Sequence, residues 1–289
     1  MGNSRGPALE MRDLPSWLVK PIPKAKNIRK MRELIGDDTI HTVCQSASCP
    51  NIGECFSKKT VTFMILGDIC TRSCRFCTVN KGKPTPVDKN EPQNVALASK
   101  KLGSRYIVIT SVTRDDLPDQ GAEQFVLTVK EIRKLIPEAQ IELLVPDLWA
   151  DKDLISKIVH IKPNIFAHNI EMAPSLYGKL RPGSDYLRSL DVLRKARELD
   201  GSLYTKSGFM LGLGEKKDEV IGLMKDLMSV DCNILTIGQY LQPSRAQAEV
   251  HDYIHPDVFA EYKKTAEGLG FNKVISGPFV RSSYRFSEE

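Results

Sequence analysis

The sequence has no long hydrophobic run and no hydrophobic segment near its start. Its apolar stretches all fall short of the roughly 18 residues that a membrane-spanning helix needs. The first residues, MGNSRGPALEMRDLPSW, lack the apolar core of a secretory signal, and the acidic Glu10 and Asp13 are untypical of an organellar transit peptide. We therefore expect a cytoplasmic protein that does not use a membrane.

Long blocks of lysine or arginine are also absent. The formal net charge is only +5 over 289 residues. Charge of this size, without clustering, gives little support to nucleic-acid binding. It suits an acidic protein partner at least as well, because a mildly basic surface attracts one. We expect no nucleic-acid partner.

What the sequence does have is cysteine in an unusual arrangement. Six of the seven cysteines form two groups, spaced C-x3-C-x2-C in the second group and C-x4-C-x5-C in the first. A [4Fe-4S] cluster or a zinc ion normally takes four protein ligands, so each group is one ligand short. The pattern predicts two metal centres, each with a position open to another ligand. The first triad is Cys44, Cys49 and Cys55, and the second triad is Cys70, Cys74 and Cys77.

Two simpler interpretations of the cysteines compete with this one. Disulfides are disfavoured because the count is odd, no secretory signal precedes them, and a chain of this length buries a core without them. A structural zinc site would prefer paired C-x2-C knuckles; only Cys74 and Cys77 form one, although His41 lies near the first triad and could complete a zinc site. Cys232, far from both triads, is expected to be a small buried apolar residue.

Apolar, β-branched runs alternate with helical patterns along the chain, as expected for βαβ units around a parallel sheet. Phe125, Val129 and Ile132 illustrate the helical spacing. The fold predicted is α/β, a partial TIM-type (β/α)6 barrel at 61–241 between an N-terminal extension at 1–60 and a C-terminal extension at 242–289, with the sheet ending near residue 241. The expected strands are TFMIL (62–66), RYIVIT (105–110), QIELLV (140–145), NIFAHN (164–169), SGFMLGL (207–213) and NILTIGQYL (233–241).

The second triad follows the first strand directly, which places it at the end of the barrel where such folds carry their active sites. Its spacing resembles the signature of the radical S-adenosylmethionine superfamily. The resemblance implies a [4Fe-4S] cluster whose fourth iron binds S-adenosylmethionine, with cofactor contacts near the strand ends. The residues implied for those contacts are Phe76, Thr110, Ser111, Asn169, Glu171, Arg181 and Gly212.

Several residues near these positions have structural alternatives. Glu171 could instead cap the following helix. Arg181 and Lys206 could hold the cofactor's carboxylate, face the acidic surface of a partner, or be structural. Arg114, Asp115 and Asp116 could form a structural salt-bridge knot, and His168 could be a core residue bonded to backbone.

The first triad and the tail GPFVRSSY (277–284) narrow the resemblance to the lipoyl synthase family. Internal segments agree, among them TSVTRDDL (110–117), HNIEMAPSLYGKLRPGSDY (168–186) and LTIGQYLQPS (235–244), so that the likeness covers about residues 11–286. One departure is Gln120, where the family usually has glycine. The resemblance implies that Ser283 is the fourth ligand of an auxiliary [4Fe-4S] cluster on the first triad, and that it acts with Cys70, Cys74 and Cys77 in catalysis.

The activity implied is insertion of two sulfur atoms at C6 and C8 of an octanoyl chain that is attached to a lysine of a lipoyl carrier domain. Two S-adenosylmethionine molecules would be consumed and the auxiliary cluster would donate the sulfur. Implied partners are octanoylated carriers, namely glycine cleavage H protein and the E2 subunits of 2-oxoacid dehydrogenases, with ferredoxin or flavodoxin as the low-potential electron donor. The alternatives are a biotin synthase-like or methylthiotransferase-like radical enzyme, and a zinc-stabilised binding protein without redox chemistry.

Overall fold

The near-continuous apolar runs form one eight-stranded sheet in the computed structural model, which describes residues 14–36 and 40–283. The strand order is β1-β2-β5-β6-β7-β8-β9-β10, and β3 and β4 form a separate two-stranded ribbon. The strands are β1 His41–Thr42, β2 Thr62–Ile65, β3 Ile69–Cys70, β4 Asn80–Lys81, β5 Tyr106–Ser111, β6 Gln140–Leu144, β7 Ile165–Ala167, β8 Tyr204–Leu211, β9 Ile234–Gln239 and β10 Lys273–Gly277.

The six strands expected from the sequence are confirmed, and all pair in parallel in chain order. Helices connect successive strands, as parallel pairing requires. In the described ranges the helices are α1 Ala25–Ile35, α2 Val43–Ser46, α3 Ile52–Ser57, α4 Glu91–Leu102, α5 Ala122–Leu135, α6 Lys152–His160, α7 Tyr177–Leu180, α8 Tyr186–Leu199, α9 Lys217–Ser229 and α10 Pro256–Leu269.

The sheet extends further than the sequence patterns indicated. The expectation that it ends near residue 241 is wrong, because β10 pairs in parallel with β9 from Lys273 to Gly277. At the other edge, β1 pairs antiparallel with β2. Each extension thus contributes a strand to the sheet, while the division at 1–60, 61–241 and 242–289 stays a prediction. β1 is only two residues long, and β10 has only two adjacent apolar residues, Val274 and Ile275, so neither carries a clear strand pattern.

Helices cover the outer face of the sheet through regularly spaced apolar side chains. In α5, Phe125, Val129 and Ile132 are all fully buried. Burying a side chain of this size is worth about 1.5–3 kcal/mol, which is how the helical face fixes each crossover against the strands. Because the crossovers are fixed, the loops at the carboxyl ends of the strands come together at one end of the sheet.

Among the helices in the described ranges, none is both long and apolar enough to cross a membrane.

Candidate active site

The loop that carries the second triad is held by the small ribbon that follows β2. Cys70 is the last residue of β3 and pairs with Lys81 of β4. Lys81 Nζ also donates to the Cys74 carbonyl at 2.9 Å, and the Cys77 amide donates to the same carbonyl at 3.3 Å. These bonds order the loop while all three thiols stay free of disulfides.

The sulfur of Cys70 accepts two backbone hydrogen bonds. The amides of Arg72 and Thr113 both lie 3.4 Å from its Sγ. Hydrogen bonds to cysteine sulfur stabilise the thiolate and tune the reduction potential of an iron–sulfur cluster. The arrangement therefore suits a cluster ligand better than a thiol buried for packing.

A buried ion-pair network supports the same loop. The guanidinium of Arg72 makes two hydrogen bonds to Asp147, of 2.6 and 2.8 Å, and two to Asp115, of 3.0 and 2.8 Å. Arg188 adds a bond to Asp147 at 2.9 Å, and the Asp147 side chain has no exposed surface. Burial would raise the pKa of Asp147, but Arg72, with smaller effects of His168 and Arg188, lowers it to about 2. Asp147 was not predicted from the sequence, although an acidic residue three positions after the end of a buried strand was an indication.

A cavity of about 170 Å³ lies beside the second triad. Most of the residues predicted to contact the cofactor line it. Two buried polar atoms on residues that line it, Ser111 Oγ and His168 Nε2, have no hydrogen-bond partner among the described residues. Unpaired buried polar atoms are costly unless a ligand completes them. The donors and acceptors therefore fit a small polar ligand such as S-adenosylmethionine. The lining includes Cys70, Cys74, Cys77, Phe76, Thr110, Ser111, His168, Asn169, Glu171 and Arg181.

Asn169, Glu171 and Arg181 form a hydrogen-bonded group in this wall. Asn169 Nδ2 donates to Glu171 Oε1 at 3.0 Å, and Arg181 donates to the Asn169 carbonyl at 3.2 Å. Glu171 has a φ of +68°. The helical turn that follows, Pro174–Leu176, has Ala173 as its N-cap and no side-chain capping bond, so Glu171 does not cap it. Burial raises its pKa, with Arg181 and Asn169 acting in the opposite direction. A strained, half-buried carboxylate beside an amide suits recognition of ribose hydroxyls.

Two of the residues predicted to contact the cofactor, Thr110 and Gly212, also have roles within the fold. Thr110 Oγ1 donates to the Leu144 carbonyl at 2.8 Å, so its hydroxyl proton is already engaged. Gly212 does not border the 170 Å³ cavity. Its φ is +93°, and a Cβ there would lie 2.2 Å from Gln239 Nε2 and 2.4 Å from the Asp252 carbonyl oxygen. Glycine is required there by the fold itself, and its role toward a cofactor stays a prediction.

A larger cavity of about 410 Å³ is bordered by cysteines of both triads and by the C-terminal turn, residues 277–283. Its walls include Cys44 and Cys49 of the first triad, Cys77 of the second triad, and Ser283. Ser283 is 234 residues beyond Cys49 in the chain, yet it borders the same space. Much of the remaining wall is apolar, contributed by Val43, Pro50, Phe76, Met210, Tyr240, Leu241 and Pro243.

Burial keeps several thiols protonated. Burial raises the pKa of Cys44 to about 12 and that of Cys77 to about 11, and it also raises the pKa of Cys55 and Cys74. A metal ligand must be the thiolate, so loading a cluster here releases protons and is favoured by higher pH.

Within the described ranges, no group of three or more His, Cys, Asp or Glu side chains converges closely enough to hold a single metal ion. A four-iron cluster makes a different demand, since each cysteine binds a different iron. All seven cysteines are free, so the disulfide interpretation finds no support.

The structure decides the alternatives for Lys206, Arg114 and Cys232. Lys206 is 2% exposed and bonds Glu142 at 2.8 and 3.0 Å, so the idea that it faces a partner is wrong. Its ammonium was expected at a strand end, but its place early in β8 puts it inside the sheet. Arg114 does pair with Asp116, at 2.9 Å, and Cys232 is buried as expected.

His168 is a buried residue bonded to backbone, as expected, and this makes stability depend on pH. Its Nδ1 donates to the Val145 carbonyl at 2.9 Å, and burial, aided by Arg181, lowers its pKa to about 4. The folded protein thus keeps the ring neutral. The contribution of His168 to the free energy of unfolding is fully present above pH 6.5 and is lost as the pH falls toward 4. Lowering the pH from 8 to 5.5 should therefore reduce the free energy of unfolding by about 1.4 kcal/mol through His168.

Urea unfolding of the wild type and of His168→Asn at both pH values measures this contribution. Asparagine can still donate to Val145 but does not titrate, so the variant should lose less stability on acidification. Equal losses in the two proteins would contradict the assignment.

Comparison with known proteins shows which proteins the chain resembles. Residues 64–227, more than half of the chain, match the Radical SAM superfamily. The chain is 52% identical to a lipoyl synthase of Caldicellulosiruptor saccharolyticus over 95% of this chain and 96% of that protein. It is 48% identical to one of Pseudomonas fluorescens, over 98% and 84%.

Solved structures share the fold at low sequence identity. Methylornithine synthase matches with a TM-score of 0.56 and 16% identity, over 78% of this chain and 76% of the other. Streptococcus suis SuiB bound to S-adenosylmethionine matches with a TM-score of 0.58 and 10% identity, over 78% and 53%. These neighbours support the partial barrel, and the superfamily match implies a [4Fe-4S] cluster and S-adenosylmethionine as cofactors. The identity to curated relatives over nearly the whole chain shows that the chain belongs to the lipoyl synthase family of radical S-adenosylmethionine enzymes.

Proposed function

We propose that this member of the lipoyl synthase family uses two [4Fe-4S] clusters, one on each cysteine triad, across the larger cavity. As a family member, it is a sulfurtransferase that acts on lipoyl carrier proteins. The observation that carries the proposal is that Cys44, Cys49, Cys77 and Ser283 border one cavity of about 410 Å³. A sulfur donor and a hydrogen-abstracting cofactor must both reach the same alkyl chain, and a shared cavity allows this.

The second triad would hold the cluster that binds S-adenosylmethionine in the smaller cavity. When bound, that cofactor supplies a radical able to remove unactivated hydrogens, which no side-chain base can remove. Glu171 and Asn169 would bind the ribose, and Ser111 and His168 would hydrogen-bond the polar part of the cofactor. Phe76 borders both cavities and would separate the adenosyl group from the substrate.

The apolar wall of the larger cavity would receive the octanoyl chain. Met210, Tyr240 and Leu241 offer contact to methylene groups, each worth about 0.8 kcal/mol when buried. Excluding water there also protects a carbon radical from side reactions. The choice among H protein and E2 carriers, the ferredoxin or flavodoxin donor, the use of two S-adenosylmethionine molecules and the cytoplasmic location stay predictions.

Ser283 would complete the auxiliary cluster on the first triad. Serine oxygen is a harder ligand than thiolate and binds iron–sulfur iron less well, which suits a cluster that must give up sulfide. We expect Ser283→Ala to lower lipoyl formation at least about tenfold, since changing even a residue that hydrogen-bonds a metal ligand typically costs about 10- to 100-fold in affinity or activity. Ser283→Cys should keep the iron but release sulfur more slowly.

Turnover of an octanoylated carrier domain under anaerobic conditions tests this role. Ser282→Ala, which removes the neighbouring hydroxyl of the same turn, is the matched control. Unchanged turnover in both Ser283 variants would refute ligation by Ser283 and would favour a radical enzyme that does not need the RSSY tail.

A further inference from the structure

The N-terminal strap, residues 14–24, crosses the segment that joins the cysteines of the first triad. Trp17 packs edge-on against His255, with ring centroids 4.9 Å apart. Pro23 lies so close to α3 that a Cβ on Gly53 would be 3.0 Å from its ring. The strap is therefore seated on the helix that carries Cys55, between two parts of the molecule distant in sequence.

Asn51 links this segment to the C-terminal turn, residues 277–283. It lies between Cys49 and Cys55, is 2% exposed, and its Nδ2 donates to the Phe279 carbonyl at 2.7 Å. Asparagine at a helix N-cap usually bonds the first turn of that helix, but this side chain makes no capping bond. It reaches 228 residues along the chain instead.

Lys20 of the strap closes the connection. Its Nζ donates to Asn51 Oδ1 at 2.6 Å and to Glu54 at 3.2 Å, and it lies 4.4 Å from the centre of the Phe279 ring. The ammonium thus contacts both partners of the Asn51–Phe279 bond. It fixes which way the asparagine amide points, because Oδ1 must face the cation.

The C-terminal turn approaches β9 very closely. A Cβ on Gly238 would lie 2.2 Å from the Val280 carbonyl oxygen, and the Val280 amide donates to Gly277 at 3.0 Å. Arg281 donates to the Val280 carbonyl at 2.7 Å. The amide of Gln239 in β9 also donates to the Pro278 carbonyl at 3.4 Å, which ties the turn to the sheet, whereas Asn51 ties it to the segment of the first triad.

We propose that Lys20 and Asn51 are positioning residues, a latch that holds the C-terminal turn against the first-triad segment so that Ser283 faces its cysteines. The inference rests on the proposed function only for what Ser283 does there. The latch couples the proposed fourth cluster ligand to the strap. Losing the latch would loosen the turn without removing any ligand.

Amide hydrogen exchange at Val280, measured on the anaerobically purified protein with its clusters, tests the latch. In Asn51→Asp, which can still accept from Lys20 but cannot donate to Phe279, exchange should be about tenfold faster. Lys20→Met should act in the same direction. Lys58→Met is the matched control, because Lys58 binds the same Glu54 carboxylate at 3.0 Å from the next turn of the helix.

A second readout follows iron release to a chelator. Both latch variants should lose about four irons faster than wild type, while the other four leave at the wild-type rate. Unchanged Val280 exchange in both variants, or equal acceleration in Lys58→Met, would overturn the latch. Failure of the proposed Ser283 ligation shows separately, because Ser283→Ala would then leave iron release unchanged.

Discussion

Cys49→Ala is expected to cleave S-adenosylmethionine at near the wild-type rate but to make no lipoyl group. The substitution removes a first-triad ligand and leaves the second-triad loop and its hydrogen bonds to Cys70 intact. About four of roughly eight irons per chain should be lost. Cys74→Ala should instead abolish both cleavage and lipoyl formation, because the cofactor would have no iron to bind.

Cys232→Ala is the matched control for these variants. Cys232 is buried outside both triads, with its Sγ 3.5 Å from the Ile234 carbonyl oxygen, and should affect only packing. Iron content, 5'-deoxyadenosine and lipoyl product are measured on each protein. Wild-type lipoyl formation by Cys49→Ala would show that the first triad does not supply the sulfur.

Asp147→Ala is expected to lower the free energy of unfolding by about 3 kcal/mol, the lower end of the cost of breaking a buried ion pair, because Arg72 keeps its two bonds to Asp115. Arg72 and Arg188 both pair with this carboxylate, and Arg72 is part of the second-triad loop. Loosening that loop should also reduce the iron held by the second triad. Unfolding in denaturant and iron content per chain are the measurements.

Asp191→Asn provides the comparison, because Asp191 pairs with Arg194 and Lys195 on the surface of one helix. Such pairs are worth about 0–1 kcal/mol. The pKa of Asp147, about 2, lies below the value near 3.9 expected when unfolded, so its stabilisation is present above about pH 4 and disappears toward pH 2. A loss no larger than that of Asp191→Asn would show that the network does not support the loop.

Local patterns predicted the architecture well where the signal was strong. The runs at 106–111 and 234–239 are buried strands because both faces of a parallel sheet are covered, and such runs contrast sharply with amphipathic helices. β10 was missed because it offers only two adjacent apolar residues, Val274 and Ile275, in the stretch predicted to be a C-terminal extension. Its place is fixed by pairing with β9, which no local pattern records.

The spacing of the cysteines in the sequence indicated the candidate site, but the hydrogen bonds that support the site could not be predicted. Cysteine spacing located both triads, and the family resemblance linked Ser283 to the first of them. The bonds of Arg72 to Asp147 and of Asn51 to Phe279 join residues 75 and 228 positions apart. Sequence gave no reason to pair them, because such contacts depend on how loops meet at the end of the barrel. Lys206 was expected near a strand end, where it could bind a cofactor or a partner. It is instead buried inside the sheet and paired with Glu142.

The central claim is that a cluster on the first triad is the source of the inserted sulfur. Its most direct test is a single turnover of protein whose clusters contain ³⁴S, given S-adenosylmethionine, a reductant and an octanoylated carrier domain, with no other sulfide present. Mass spectrometry of the carrier should find two ³⁴S atoms in the new lipoyl group, and none should form in Cys49→Ala. Unlabelled lipoyl groups, or no lipoyl product from protein that holds about eight irons, would contradict the claim.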